Sequence, residues 1–121
     1  MTPLDFTGRL FQVWRYNVSH AQLLLRSSKT PVMPTRVDIL FKGVEALKLS
    51  TGMEDLVVRA PTDAEVKSME REFQGLALHA DNIYMLSSAA GLGYVIAVAM
   101  LHTEDAGEYY DPNPNHSFSS L

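Results

Sequence analysis

The chain has 121 residues, 46% of them hydrophobic and 20% charged, with no cysteine and a formal net charge of −4. One domain fits this length, and the composition is that of a chain that buries a core without disulfides, which with thiolate metal sites and thiol catalysis are excluded. The charge is uneven: residues 1–60 carry eight Lys/Arg against five acids, and residues 61–121 carry two against nine. Such a split can give head-to-tail complementarity unless folding mixes the two halves on one surface.

The opening MTPLDFTGRL has an early acid and no apolar core of signal-peptide length. The longest apolar run, Tyr94 to Leu101, is eight residues, against roughly 20 for a bilayer-spanning helix. These features predict a cytoplasmic protein without a membrane partner. Asn17-Val18-Ser19 and Asn115-His116-Ser117 fit the glycosylation acceptor pattern, which without a secretory signal reads as coincidence.

Phe11 to Val18, FQVWRYNV, interleaves aromatic and β-branched residues with polar ones and predicts a strand. Alternation puts Trp14, Tyr16 and Val18 on one face, and Phe11, Val13 and Arg15 on the other. A turn at Ser19-His20-Ala21 leads to a returning strand over Gln22 to Ser28. Ser27 to Pro31, with Pro34 beyond, breaks the chain before a long strand from Arg36 to Leu49. Gly43 interrupts that strand's alternation, as a bulge or bend would. A turn at Ser50-Thr51-Gly52 precedes a short strand, Asp55 to Arg59.

One amphipathic helix is predicted over residues 62–74. Thr62 at the N-cap and Glu65 three residues on can satisfy backbone donors reciprocally, and Asp63 and Glu65 suit the positive end of the helix dipole. Val66, Met69 and Phe73 form its apolar stripe, and Gly75 is placed to stop it. Ile83 to Ser88 and Tyr94 to Leu101 predict a closing hairpin through Ala89 to Gly93. YVIAVAML has no polar position, so it predicts a central strand buried on both faces. Residues 106–121 are a polar tail after a domain spanning 1–105.

The predicted fold is therefore α+β: a mainly antiparallel, twisted sheet of about six strands with one helix on one face. A helix of about 12 residues is roughly 18 Å long and cannot cover such a sheet, while Leu23-Leu24-Leu25 and Tyr94 to Leu101 both require cover on two faces. Three arrangements would supply it. The sheet can close on itself, two copies can pack sheet to sheet, or the tail with Tyr109, Tyr110 and Phe118 can fold back as a lid. Self-association is the favoured expectation, because exposed apolar sheet on a monomer promotes association.

Candidate chemistry is sparse. His102, Glu104 and Asp105 offer an imidazole and two carboxylates at a strand end, the one weak metal or acid–base candidate. Solvated charges at a strand terminus explain them as well. Ser19-His20 cannot form a nucleophile–base pair easily, since neighbours on a strand point apart. Gly91-Leu92-Gly93 precedes a strand, where a phosphate loop needs a helix. Arg15, Arg26, Arg36, Lys42 and Lys48, interleaved with Trp14, Tyr16 and Phe41, resemble a base-stacking surface, but a pI near 5.4 argues against nucleic acid.

The residues favoured for binding are Trp14, Tyr16, Arg26, Tyr109 and Tyr110, with no cofactor. The functional expectation is a non-catalytic protein-interaction module that self-associates through an apolar sheet face or binds a protein partner, with a bacterial accessory or immunity-type role by analogy of size and charge. The alternative is a small-molecule binding domain with an apolar pocket between curved sheet and helix.

Overall fold

A computed structural model describes residues 1–113. Six strands and one α-helix follow in order: β1 (Leu4–Asn17), β2 (Gln22–Ser27), β3 (Arg36–Lys48), β4 (Gly52–Arg59), α1 (Asp63–Glu72), β5 (Ile83–Ser88) and β6 (Gly91–Asp105), with a short 3-10 turn at Ala80–Asn82 before β5. The sheet is entirely antiparallel and closes into a barrel in the order β1-β2-β3-β6-β5-β4. The α+β layout read from the sequence is the one observed. Closure answers what covers the inner face: the sheet covers itself, and every strand has a paired neighbour on each side.

The closing contact is β1 on β4. Leu4, Asp5 and Phe6 pair with Val58, Val57 and Leu56, and Leu10, Phe11 and Gln12 pair with Glu54, Met53 and Gly52. Between these stretches β1 carries extra residues, which shifts its inward phase so that both Phe6 and Phe11 reach the core. Two residues with positive φ make the bulge, Gly8 at +86° and Asp55 at +55°. Aspartate tolerates that conformation better than most side chains, and the Asp55 carboxylate accepts the Gly8 N–H at 2.8 Å. The sequence reading began this strand at Phe11; Leu4 to Leu10 were missed because the bulge breaks the period of two.

The barrel interior holds Phe11, Leu23, Leu25, Val37, Ile39, Phe41, Met53, Leu56, Val58, Leu86 and Val95, all buried. All three leucines of Leu23 to Leu25 are buried, on both faces of β2 as anticipated. On β6 the anticipation holds for Val95, Ile96 and Ala97, whereas Val98 is exposed beside Gly43. Gly43 has φ +67°, and a methyl group there would overlap the Val98 side chain. The β5–β6 hairpin is tighter than the five-residue loop expected: Ser88 pairs with Gly91, so Ala89 and Ala90 alone make the turn.

Helix α1 packs outside the barrel. Met69 is buried with Ile83, Met85 and Ile96, and Val66 and Phe73 pack against that cluster. Both bonds of the anticipated capping box form: Thr62 Oγ1 accepts the Glu65 N–H at 3.2 Å, and Glu65 accepts the Thr62 N–H at 2.8 Å. The helix stops at Glu72 with Phe73 as its C-cap, donating its N–H to the Met69 carbonyl, so Gly75 is not the stop. Among the described residues no helix is long and apolar enough to cross a membrane.

The cap also sets an acid-sensitive point. Arg59 grips Glu65 through two hydrogen bonds of 2.7 and 3.0 Å. Chiefly through those bonds, helped by the Thr62 N–H and against partial burial, the Glu65 pKa falls from 4.5 to about 2. A carboxylate with a depressed folded-state pKa contributes stability that is whole above its unfolded value and is lost as pH falls through the folded one. Unfolding free energy should therefore decline between pH 4.5 and about 2, and Glu65→Gln should flatten that slope in urea titrations run across the window. An unaltered slope in the variant would refute the assignment.

Candidate functional site

From Ala106 to Asn113 the chain stays against the barrel. Residues 106–113 turn back across the outer faces of β2, β3 and β6 as a strap. Its anchors come from the outward positions of those strands. Arg26 on β2 pairs with Asp38 on β3, which pairs with Thr103 on β6; one step along, Arg36 pairs with Asp105. Directly opposed residues share a face, so these polar side chains form one cross-strand band. Their immediate neighbours Leu25, Val37 and Ile39 point inward to the core.

Two bidentate ion pairs lie in this band. Arg26 Nε and Nη2 donate to the Asp38 carboxylate at 2.7 and 2.9 Å, and the two side chains are only 3% and 0% exposed. Arg36 Nε and Nη2 donate to Asp105 at 2.9 and 3.0 Å. Further guanidinium protons go to strap backbone: Arg26 Nη1 to the Tyr109 carbonyl at 2.9 Å, and Arg36 Nη1 to the carbonyls of Glu108 and Asp111 at 2.9 and 2.6 Å. Asn113 Nδ2 donates to Asp38 and to Thr103 Oγ1 at 2.9 and 2.8 Å. The Asp105 pKa is lowered, first by its hydrogen bonds from Arg36 and further by the Gly107 N–H, over the opposing effect of burial. Gly107 lies so close to Arg36 that a methyl group there would overlap the guanidinium.

An aromatic cluster flanks the band. Trp14 and Tyr109 meet edge to face at 4.6 Å, Tyr110 lies 5.5 Å from Trp14 and 4.7 Å from Tyr109, and the Arg26 guanidinium sits 5.2 Å from the Trp14 ring centre. The Tyr109 hydroxyl donates to Gln12 Oε1 at 3.2 Å. Four of the five residues favoured for binding, Trp14, Arg26, Tyr109 and Tyr110, thus converge. Tyr16 does not join them. Val13 pairs with Leu25 and Arg15 with Leu24, leaving Trp14 as the extra residue of a bulge. That bulge separates Trp14 from Tyr16, which pairs with the inward-facing Leu23, so the shared face expected from strict alternation is not formed. Because β4 begins only at Gly52, opposite Gln12, inward-directed Val13 and Tyr16 emerge at the barrel rim, Tyr16 being 43% exposed.

The weak metal candidates are dispersed. His102 lies edge-on to Phe6 at 6.1 Å, Glu104 pairs with Arg9 and accepts from Thr35, and Asp105 is held by Arg36. His102 and Glu104 pair with inward Ile39 and Val37, so Asp105 is on the opposite face. Among the described residues no group of three His, Asp or Glu side chains could hold a metal ion.

Between helix and sheet there is a cavity of about 210 Å³ lined by Lys48, Glu65, Met69, Glu72, Met85 and Tyr94. Ligand pockets run on the order of 300–1,000 Å³ and are mostly apolar; this one is smaller and ringed by charge. A cavity of about 320 Å³ opens at the barrel end, lined by Lys48, Ser50, Met53, Leu86, Ser88 and Leu92.

Sequence reasoning picked out the aromatic residues and Arg26 but missed Asp38, Gly107 and Asn113, and it gave Arg36 only a nucleic-acid role. The available signal was Arg36 and Asp38 alternating with Val37 and Ile39, which marks a polar outer face. What lies over that face depends on where the tail goes, and no local pattern encodes it. No family model, curated protein or solved structure matches this chain.

Proposed function

We propose that the protein is a non-catalytic interaction module that associates with a second copy of itself through the outward cluster of Trp14, Tyr109 and Tyr110. The observation carrying this reading is Tyr110, which is 82% exposed yet fixed by two ring contacts. An aromatic side chain already ordered before binding loses little freedom when covered, which is why such residues dominate interfaces. Leu10, on the outward face of β1 with Gln12, extends the apolar surface. Barrel closure encloses the inner sheet face, so association uses this outer one.

Multi-angle light scattering across a concentration series tests the reading. The natural chain should rise above monomer mass, and Tyr110→Ser should need a roughly 30-fold higher concentration to do so, the effect of losing one interface hot spot. A monomeric mass at every concentration for the natural chain would refute self-association.

A further inference from the structure

The strap is held in the way a receptor holds a peptide. Three of its anchors are main-chain carbonyls, those of Glu108, Tyr109 and Asp111, received by two arginines whose planes are already fixed by Asp38 and Asp105. Carbonyl recognition is indifferent to side chain, so it sets a path and a register rather than a sequence. Specificity comes from three further places. Tyr109 packs on Trp14, Glu108 pairs with Lys29 at 2.6 Å, and the position over Arg36 has room for glycine but not for a methyl group. On the receiving surface Arg26 and Arg36 are balanced by Asp38 and Asp105, which leaves Lys29 as its uncompensated positive charge, and the strap is acidic through Glu108 and Asp111.

We propose that the outer face of β2, β3 and β6 is a docking groove for an extended acidic peptide bearing an aromatic residue, and that residues 106–113 occupy it as a tethered competitor. A partner segment would give its carbonyls to Arg26 and Arg36, lay its aromatic ring on Trp14, direct an acid at Lys29 and cross Arg36 with glycine. A short tether holds the strap at an effective concentration of order millimolar, so a partner in trans gains the groove when the strap is displaced or when its own contacts are better. This goes beyond self-association and does not depend on it.

Trp14 is the single tryptophan of the chain, so its emission reports the groove directly. Two full-length variants weaken the strap's hold differently: Gly107→Ala pushes it off Arg36, and Tyr109→Ala removes its ring from Trp14 while leaving Arg36 untouched. Each should show altered Trp14 emission with unchanged far-UV circular dichroism. Adding the synthetic peptide AGEYYDPN, residues 106–113, should return the native emission saturably, and the natural chain should bind that peptide at least roughly tenfold more weakly because its groove is filled. Three results would each overturn the proposal: native emission in both variants, no saturable recovery in either up to millimolar peptide, or equal binding by the natural chain.

Discussion

Asp38→Ala should lower the unfolding free energy by about 3–5 kcal/mol, the usual consequence of stranding one partner of a buried ion pair. Arg26 cannot discard its proton, and its side chain is 3% exposed, so no solvent replaces the lost carboxylate. Asn113 loses its Asp38 acceptor in the same step. Replacing both partners, Arg26→Leu with Asp38→Leu, should recover most of that loss, because removing both charges also removes their desolvation cost. The double variant keeps a stable barrel but gives up the Tyr109 carbonyl bond and the contact of Arg26 with Trp14. Urea unfolding of the four chains gives the coupling energy of the pair. A single variant within about 1 kcal/mol of the natural chain would mean that Arg26 reaches water, contrary to the packing described.

Phe11→Ala should cost a comparable amount, about 3–5 kcal/mol. Phe11 is fully buried, meets Phe6 edge to face at 5.2 Å, and pairs with Met53 where β1 closes on β4. Its loss leaves a cavity at the seam of the barrel, between two stretches already interrupted by a bulge, where little can move in to fill the space. The loss should appear as a lower urea midpoint with an unchanged slope if the ring stays closed. Hydrogen exchange of the amides paired across β1 and β4 should rise more than that of those across β3 and β6. Uniform exchange across all strand pairs would contradict a local weakening of the seam.

Much of the fold was legible because it is written locally. The capping box of Thr62 and Glu65, the stripe of Val66, Met69 and Phe73, and the apolar runs of β2 and β6 are each specified by residues close in the chain. Bulges were the first source of error. One near Gly8 hid the start of β1, and another at Trp14 placed Tyr16 on the wrong face. An extra residue reverses a period of two, and nothing in the composition marks where that happens.

Closure was the second. The excess of apolar sheet over helix was readable, and self-enclosure was one of three ways to satisfy it, but the pairing of Leu4–Phe6 with Leu56–Val58 is a long-range match with no local signal. The tail was partly legible. Its tyrosines were singled out and folding back was one arrangement considered, whereas its anchors, Arg36 and Gly107 among them, look ordinary until the strap lies over them. Phe118, considered for the same lid, lies outside the described residues.

The strap lies across β2, β3 and β6 with Tyr109 against Trp14. Nuclear Overhauser contacts between the ring protons of these two residues in the native full-length chain test this directly. Strong cross-peaks are expected from ring centres 4.6 Å apart, together with weaker ones from Trp14 to Tyr110 at 5.5 Å. A folded barrel whose Trp14 shows no contact with either tyrosine would contradict it.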